Sequence, residues 1–145
     1  MAILNYTTKI DSSKTLGEIQ SILASKGAKR IMIDYDDSGN ADSLSFAVQV
    51  NEDFICFKLP CNWQGVLASM KADRKVPGHL CNKEQALRVG WRIVKNWVEA
   101  QMAIIEAKLV TIEEVFFPYA LTKNGTSVYE YFLNSENKKL LQSSN

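Results

Sequence analysis

The chain has one histidine, His79, and it falls in a loop broken by Pro77-Gly78. A Ser/His/Asp or Cys/His site needs its imidazole held firmly beside a nucleophile, so both are disfavoured. No GxSxG, Walker, dinucleotide-binding or HExxH pattern occurs. No cofactor is expected, and the enzyme question stays open, leaning to no. Cysteine is scarce and odd in number at three, which fits a reducing compartment better than a disulfide framework. No apolar run approaches the roughly 20 residues of a membrane span. The opening MAILNYTTKIDSSK lacks the basic-then-apolar order of a signal peptide. A cytoplasmic protein without membrane association is expected. An excess of one charge is missing too. The 17 basic and 16 acidic residues leave a net charge of +1, so bulk charge does not mark a nucleic-acid binder, although a local patch remains open. With 145 residues one domain is expected, large enough for a core without staples.

What is present is organised around Asn82 to Lys108. Asn82 is a candidate N-cap, with Gln85 in the capping-box position, Glu84 in the first turn and Lys108 near the end. Apolar residues recur at Leu87, Trp91, Val94, Val98, Met102 and Ile105, beside a second row through Ala86, Gly90, Ile93, Trp97 and Ile104. Two adjacent rows make a face wider than a coiled-coil seam. Cover from a partner subunit is one expectation, with Trp91, Trp97 and Ile104 as interface residues. Arg88, Arg92 and Lys95 recur at helical spacing as a basic stripe. It is read either as a contact for an anion or phosphate backbone or as a solvated face balanced by Glu84 and Glu99.

The remainder predicts an α+β protein: an antiparallel β-α-β-β-β sheet module over residues 1–72, a mostly helical part over 82–134 containing the long central helix, and a frayed tail over 135–145. The first strand is expected over Ile3 to Ile10. A short helix then opens on a capping box at Thr15 and Glu18 and closes at Gly27. Strands follow over Lys29 to Tyr35, Ser43 to Val50 and Phe54 to Leu59, the middle one alternating so that one face is buried and the other less so. Asn62, Thr111 and Ser127 are further cap candidates. Pro118 kinks or ends a helix, and the loop from Lys71 to Cys81 is the flexible candidate. Asp34, Asp36 and Asp37 cluster at a strand end, where acids usually form turns.

One metal constellation has the right residue types, a weak zinc candidate of Cys56, Cys61, His79 and Cys81. Its Cys-x4-Cys and His-x-Cys spacings are poor and Cys56 falls mid-strand, so structural cysteines are the preferred reading. From Thr15 to Lys71 the order helix, three strands, helix resembles a double-stranded-RNA-binding domain. The DDSGNADS loop and the CNWQGVL helix start lack that family's phosphate-contacting residues.

Across nearly its whole length the chain resembles a family of small bacteriophage and prophage proteins. The resemblance is carried by Lys14-Thr15-Leu16-Gly17-Glu18-Ile19-Gln20, Phe57-Lys58-Leu59-Pro60, the run from Arg88 to Trp97 (RVGWRIVKNW), and Phe117-Pro118-Tyr119. It implies a phage or prophage setting, hence the host cytoplasm, and brings over no functional residue. That setting favours a non-enzymatic, homo-oligomeric accessory protein that binds a host factor or small anionic ligand, with a role against host defence among the options. The alternatives are a nucleic-acid binder of phage replication or recombination, and an enzyme of unrecognised type.

Overall fold

Alternating apolar residues and tight turns make the first half of the chain a β-meander. The computed structural model describes residues 3–141. Helix α1 (Ser12–Ser25) leads into β1 (Ala28–Tyr35), β2 (Ala41–Val50) and β3 (Asp53–Lys58), an antiparallel sheet in the order β1-β2-β3. Asp36 shapes the first hairpin by accepting hydrogen bonds from the Ser38 and Asn40 N–H groups, with Gly39 at φ 83°. Asn51, at φ 59°, turns the second. Helix α2 (Trp63–Ala72), the long α3 (Lys83–Glu106), and the short α4 (Ile112–Val115) and α5 (Val128–Leu133) follow. The chain is therefore α+β, with one long helix in its second half.

The sheet has three strands, not four. Residues 4–7 form a turn with Asn5 at φ 65°, which breaks the extended path expected over Ile3 to Ile10. The carbonyls that a neighbouring strand would have engaged go to a side chain instead. Gln85 Nε2 donates to the carbonyls of Tyr6 (3.0 Å) and Thr8 (2.9 Å). Its amide is thus taken from the capping box expected at Asn82. Asn82 Oδ1 still accepts from the Gln85 N–H, at 2.8 Å. Helix α1 also begins earlier than expected. Ser12 and Ser13 are already helical, and Thr15 is a buried interior residue rather than a cap.

Helices α1 and α3 lie side by side, in the same direction, over the inner face of the sheet. Their contact is stitched along its length by Arg92 with Glu18 at 2.8 Å and by Lys26 with Glu106. Leu16, Ile19 and Leu23 of α1 and Trp91, Val94 and Val98 of α3 meet Leu44, Phe46, Val48 and Phe57 of the sheet. Trp91 is fully buried, and its Nε1–H donates to the Ala41 carbonyl at 3.1 Å. Behind α3 a second cluster joins Ala86 and Val89 to Met70 of α2 and to Val76. The wide face of α3 is thus covered within this chain from two sides. Helix α2 packs against α3 rather than on the sheet, so the likeness to a double-stranded-RNA-binding domain stops at element order. The loop expected to be flexible is anchored by buried Val76.

Phe116 closes the far end of the core. Its ring meets Phe46 edge-on at 5.4 Å and Trp97 at 5.3 Å. Thr111 and Glu114 form the expected capping box of α4. That helix stops before Pro118, which sits in a 3-10 turn over Phe117–Tyr119. Ala120 bridges to Phe57, and the Leu121 N–H donates to the Cys56 carbonyl, so the 120–121 segment lies along part of the outer edge of β3. Neither α5 nor the turn over Glu136–Leu141 buries a residue. Residues 142–145 of the expected tail lie outside the described residues.

Candidate functional site

Arg88 on the first turns of α3 faces a cleft of about 220 Å³ between α3, the start of α1 and the β1–β2 hairpin. Its walls include Ser12, Ser13, Tyr35, Asn40 and Leu87. The guanidinium is held from one side only. Nη1 donates to Gln85 Oε1 at 3.2 Å and Nη2 to Glu84 Oε1 at 2.8 Å. Nε has Asp11 Oδ1 at 3.9 Å, beyond hydrogen-bond reach. Glu84 and Asp11 are 74% and 77% exposed, against 26% for Arg88. The carboxylates stand at the solvent edge and the cation stands inside.

The other two stripe residues are placed differently. Arg92 Nη1 donates to Glu18 Oε2 at 2.8 Å and to Thr15 Oγ1 at 3.3 Å. Lys95 pairs with Glu99 at 2.7 Å and lies 3.9 Å from Glu18. Both cations are largely buried, with 14% and 15% of their side chains exposed. The spacing that predicts a row of cations carries no sign of Glu18, which comes from α1. Arg92 joins α3 to α1, Lys95 pairs with Glu99 on its own helix, and of the three only Arg88 lines this cleft.

The residues expected at an interface also separate. Trp91 is enclosed by its own chain and is core; the hydrogen bond to Ala41 and the inner face of the sheet supply the cover that a partner was expected to give. Trp97 is half-buried against Phe116 and Tyr119. Ile104 is exposed, at 37%. The zinc constellation is not assembled. Cys56 lines the outer face of the sheet, Cys61 packs at Gly90 of α3, and Cys81 Sγ lies 3.7 Å from the Pro77 carbonyl in the turn that holds His79. Among the described residues no three His, Cys, Asp or Glu side chains converge to hold a metal ion. Burial, helped by the nearby Asp42 charge, pushes the Cys61 thiol up to about 12 from its ordinary 9.0, so it is a poor nucleophile and metal ligand at neutral pH.

Asp34 and Asp36 are structural in the way acidic turn residues usually are. Asp34 accepts a hydrogen bond from Ser43 Oγ at 2.9 Å. Asp36 accepts one from Lys83 Nζ at 2.9 Å, and that ammonium lies 4.9 Å from the centre of the Trp63 ring. One cluster thus fastens the hairpin, the start of α3 and the start of α2. The Lys83 hydrogen bond, followed by the Asn40 N–H, holds the Asp36 carboxyl down at about 2, against an ordinary 3.8. A carboxyl lowered on folding stabilises the native state fully above its ordinary value. That contribution is expected to fade as pH falls from 3.8 through about 2. Acid titration of unfolding, followed by circular dichroism, should show Asp36→Asn less stable than wild type at pH 6, with the two curves drawing together from pH 3.8 and meeting below about 2. Parallel curves across that window would refute the assignment.

No helix among the described residues is long and apolar enough to cross a membrane. Set beside protein-family models, curated proteins and solved structures, the chain matches none.

Proposed function

We propose that this is a non-enzymatic accessory binding protein of phage or prophage origin, homo-oligomeric, which captures a small anionic ligand or an anionic group of a host factor. The observation that carries the reading is the cleft at Arg88. It brings a cation whose Nε–H makes no hydrogen bond among the described residues, with Asp11 Oδ1 at 3.9 Å, together with the polar side chains of Ser12, Ser13, Tyr35 and Asn40. A volume of about 220 Å³ suits a ligand smaller than a typical drug-sized one. Arg88 suits phosphate or carboxylate because its planar fork offers parallel donors. An entering anion displaces Asp11 and Glu84 toward water, where each is already mostly exposed. The nucleic-acid alternative is less favoured, because a backbone track needs several free cations and Arg92 and Lys95 are committed to Glu18 and Glu99.

Calorimetric titration with inorganic phosphate and with nucleoside monophosphates tests the reading. Arg88→Ala is expected to weaken binding about tenfold or more, the value of one charge-assisted hydrogen bond. Lys95→Ala, outside the cleft, should stay within about twofold. Absence of binding by any phosphate, or equal loss in both variants, would remove the cleft as the site.

A further inference from the structure

Among the described residues no helix packs over the outer face of the sheet, and that face has a shape. On β2 this face carries the small residues Ser45 and Ala47, both buried. The flanking strands carry longer side chains, Arg30 and Met32 on β1 and Cys56 and Lys58 on β3. The result is an apolar trough of about 230 Å³ running over the middle strand, with Leu121 at one side. Neighbouring strands lie roughly 4.8 Å apart, so the axes of β1 and β3 stand about 10 Å apart, and one helix laid over β2 on top of these side chains covers that span. Arg30 and Lys58 on these walls form no ion pair among the described residues; the Arg30 guanidinium rests over the Phe54 ring at 4.2 Å.

The same chain carries a segment with the opposite need. Among the described residues, eight of the twelve exposed large hydrophobics fall between Ile104 and Leu141. Five of them, Tyr129, Tyr131, Leu133, Leu140 and Leu141, belong to the C-terminal arm over 128–141, which is rooted on the core by half-buried Val128 and contains no fully buried residue. Glu130 and Glu136 lead the arm, and Lys138 and Lys139 follow. Each copy thus presents an apolar arm whose leading charges are acidic and an apolar trough flanked by unpaired cations.

We propose that two copies exchange arms, each seating its C-terminal segment in the outer-sheet trough of the other. Glu130 and Glu136 meet Arg30 and Lys58, and Asp34, at the far end of the same face of β1, stands toward Lys138 and Lys139. Reciprocal exchange is a two-fold, self-complementary contact. It uses arm and trough twice, moving the buried area toward the roughly 1,200–2,000 Å² of stable interfaces. The proposal rests on the oligomeric part of the function above and replaces the central helix, whose Trp91 is enclosed, with a surface that is open.

Cys56 reports occupancy, because it lies in the trough and is exposed in the single chain. The test is light-scattering mass at 10 and 100 µM, with the rate of Cys56 alkylation by iodoacetamide read by peptide mass spectrometry. The comparison variant is Leu140→Asp with Leu141→Asp, two residues 80% and 78% exposed whose change leaves the core untouched. Met32→Asp alters the trough from the other side. The full-length protein is expected to run as a dimer, with Cys56 labelled about tenfold more slowly than in either variant, since a covered thiol is shielded from reagent. Both variants should run as monomers. A wild-type monomer overturns the proposal, including one with slow Cys56, which means that the arm folds over its own sheet. A dimer that survives both variants also overturns it and leaves oligomerisation to another surface. Phosphate titration of the same variants reads the Arg88 cleft separately, so failure of one is distinguishable from failure of the other.

Discussion

Trp91→Ala is expected to lower the unfolding free energy by about 3–5 kcal/mol, the range for truncating a large buried aromatic. Trp91 has no exposed surface and sits where α1, α3 and the sheet meet. The substitution leaves a cavity in close-packed surroundings and strands the Ala41 carbonyl, which accepts from Nε1 at 3.1 Å. Against the roughly 5–15 kcal/mol of a typical domain, this is at least about a fifth of the total. Trp91→Phe separates the two losses. It keeps most of the ring and removes the donor, and is expected to cost about 1–3 kcal/mol. Urea unfolding of the three proteins gives both numbers from the shift in midpoint at constant slope. A Trp91→Ala variant within about 1 kcal/mol of wild type would mean that the α3–sheet junction has other support.

Phe116→Ala should be nearly as damaging, by about 3–5 kcal/mol, for a different reason. Helix α4 has only four residues and cannot persist on its own hydrogen bonds. Its place depends on Phe116, fully buried, which meets Phe46 and Trp97 edge-on. Phe46 in turn stacks on Phe57 at 5.1 Å. Removing the ring opens this aromatic chain at its link to the C-terminal third, and Trp97 loses one side of its cover. The measurement is urea unfolding together with tryptophan emission in a Trp63→Phe background, where Trp91 and Trp97 both emit and Trp97 is the one whose ring meets Phe116. The native emission should move to the red in Phe116→Ala and stay near wild type in Phe116→Leu, a swap that retains most of the apolar volume. Unchanged emission with Ala would place the Trp97 environment elsewhere. The losses at Trp91 and Phe116 are not expected to add, because both residues belong to one packed cluster.

Local chemistry was readable where it decides the outcome. The 3.6-residue period and the Asn82 cap locate α3 within two residues at its C-terminal end, and Thr111 announces α4 correctly. The alternation of Leu44, Phe46 and Val48 identifies the inner face of β2. What escaped depends on partners distant in sequence. Residues 3–10 alternate like a strand, but nothing local reveals that Gln85 takes the Tyr6 and Thr8 carbonyls. The outer face of β2 reads as half-exposed, yet Ser43, Ser45 and Ala47 are buried because the longer side chains of the two flanking strands overhang them. The basic row on α3 was legible as a row. Its division into one helix-to-helix tie, one pair within α3 and one cleft residue was not, because Glu18 and the cleft walls come from α1 and the β1–β2 hairpin. Trp91 shows the same ambiguity: a wide apolar face says that cover exists, without saying whose.

The order of the elements also bears on how the protein is made. The three strands are complete at Lys58, whereas α3 begins only at Lys83. On the ribosome the meander therefore emerges with α1 as its sole roof, and the side of the sheet destined for Trp91, Val94 and Val98 waits uncovered. Pairing this sheet with a helix so far downstream raises the sequence separation of native contacts and slows folding. During that interval Leu44, Phe46 and Phe57 are open to other nascent chains. A cell translating this message at a high rate should then lose a share of the product to aggregation unless elongation through the α3 codons is fast or a chaperone holds the sheet.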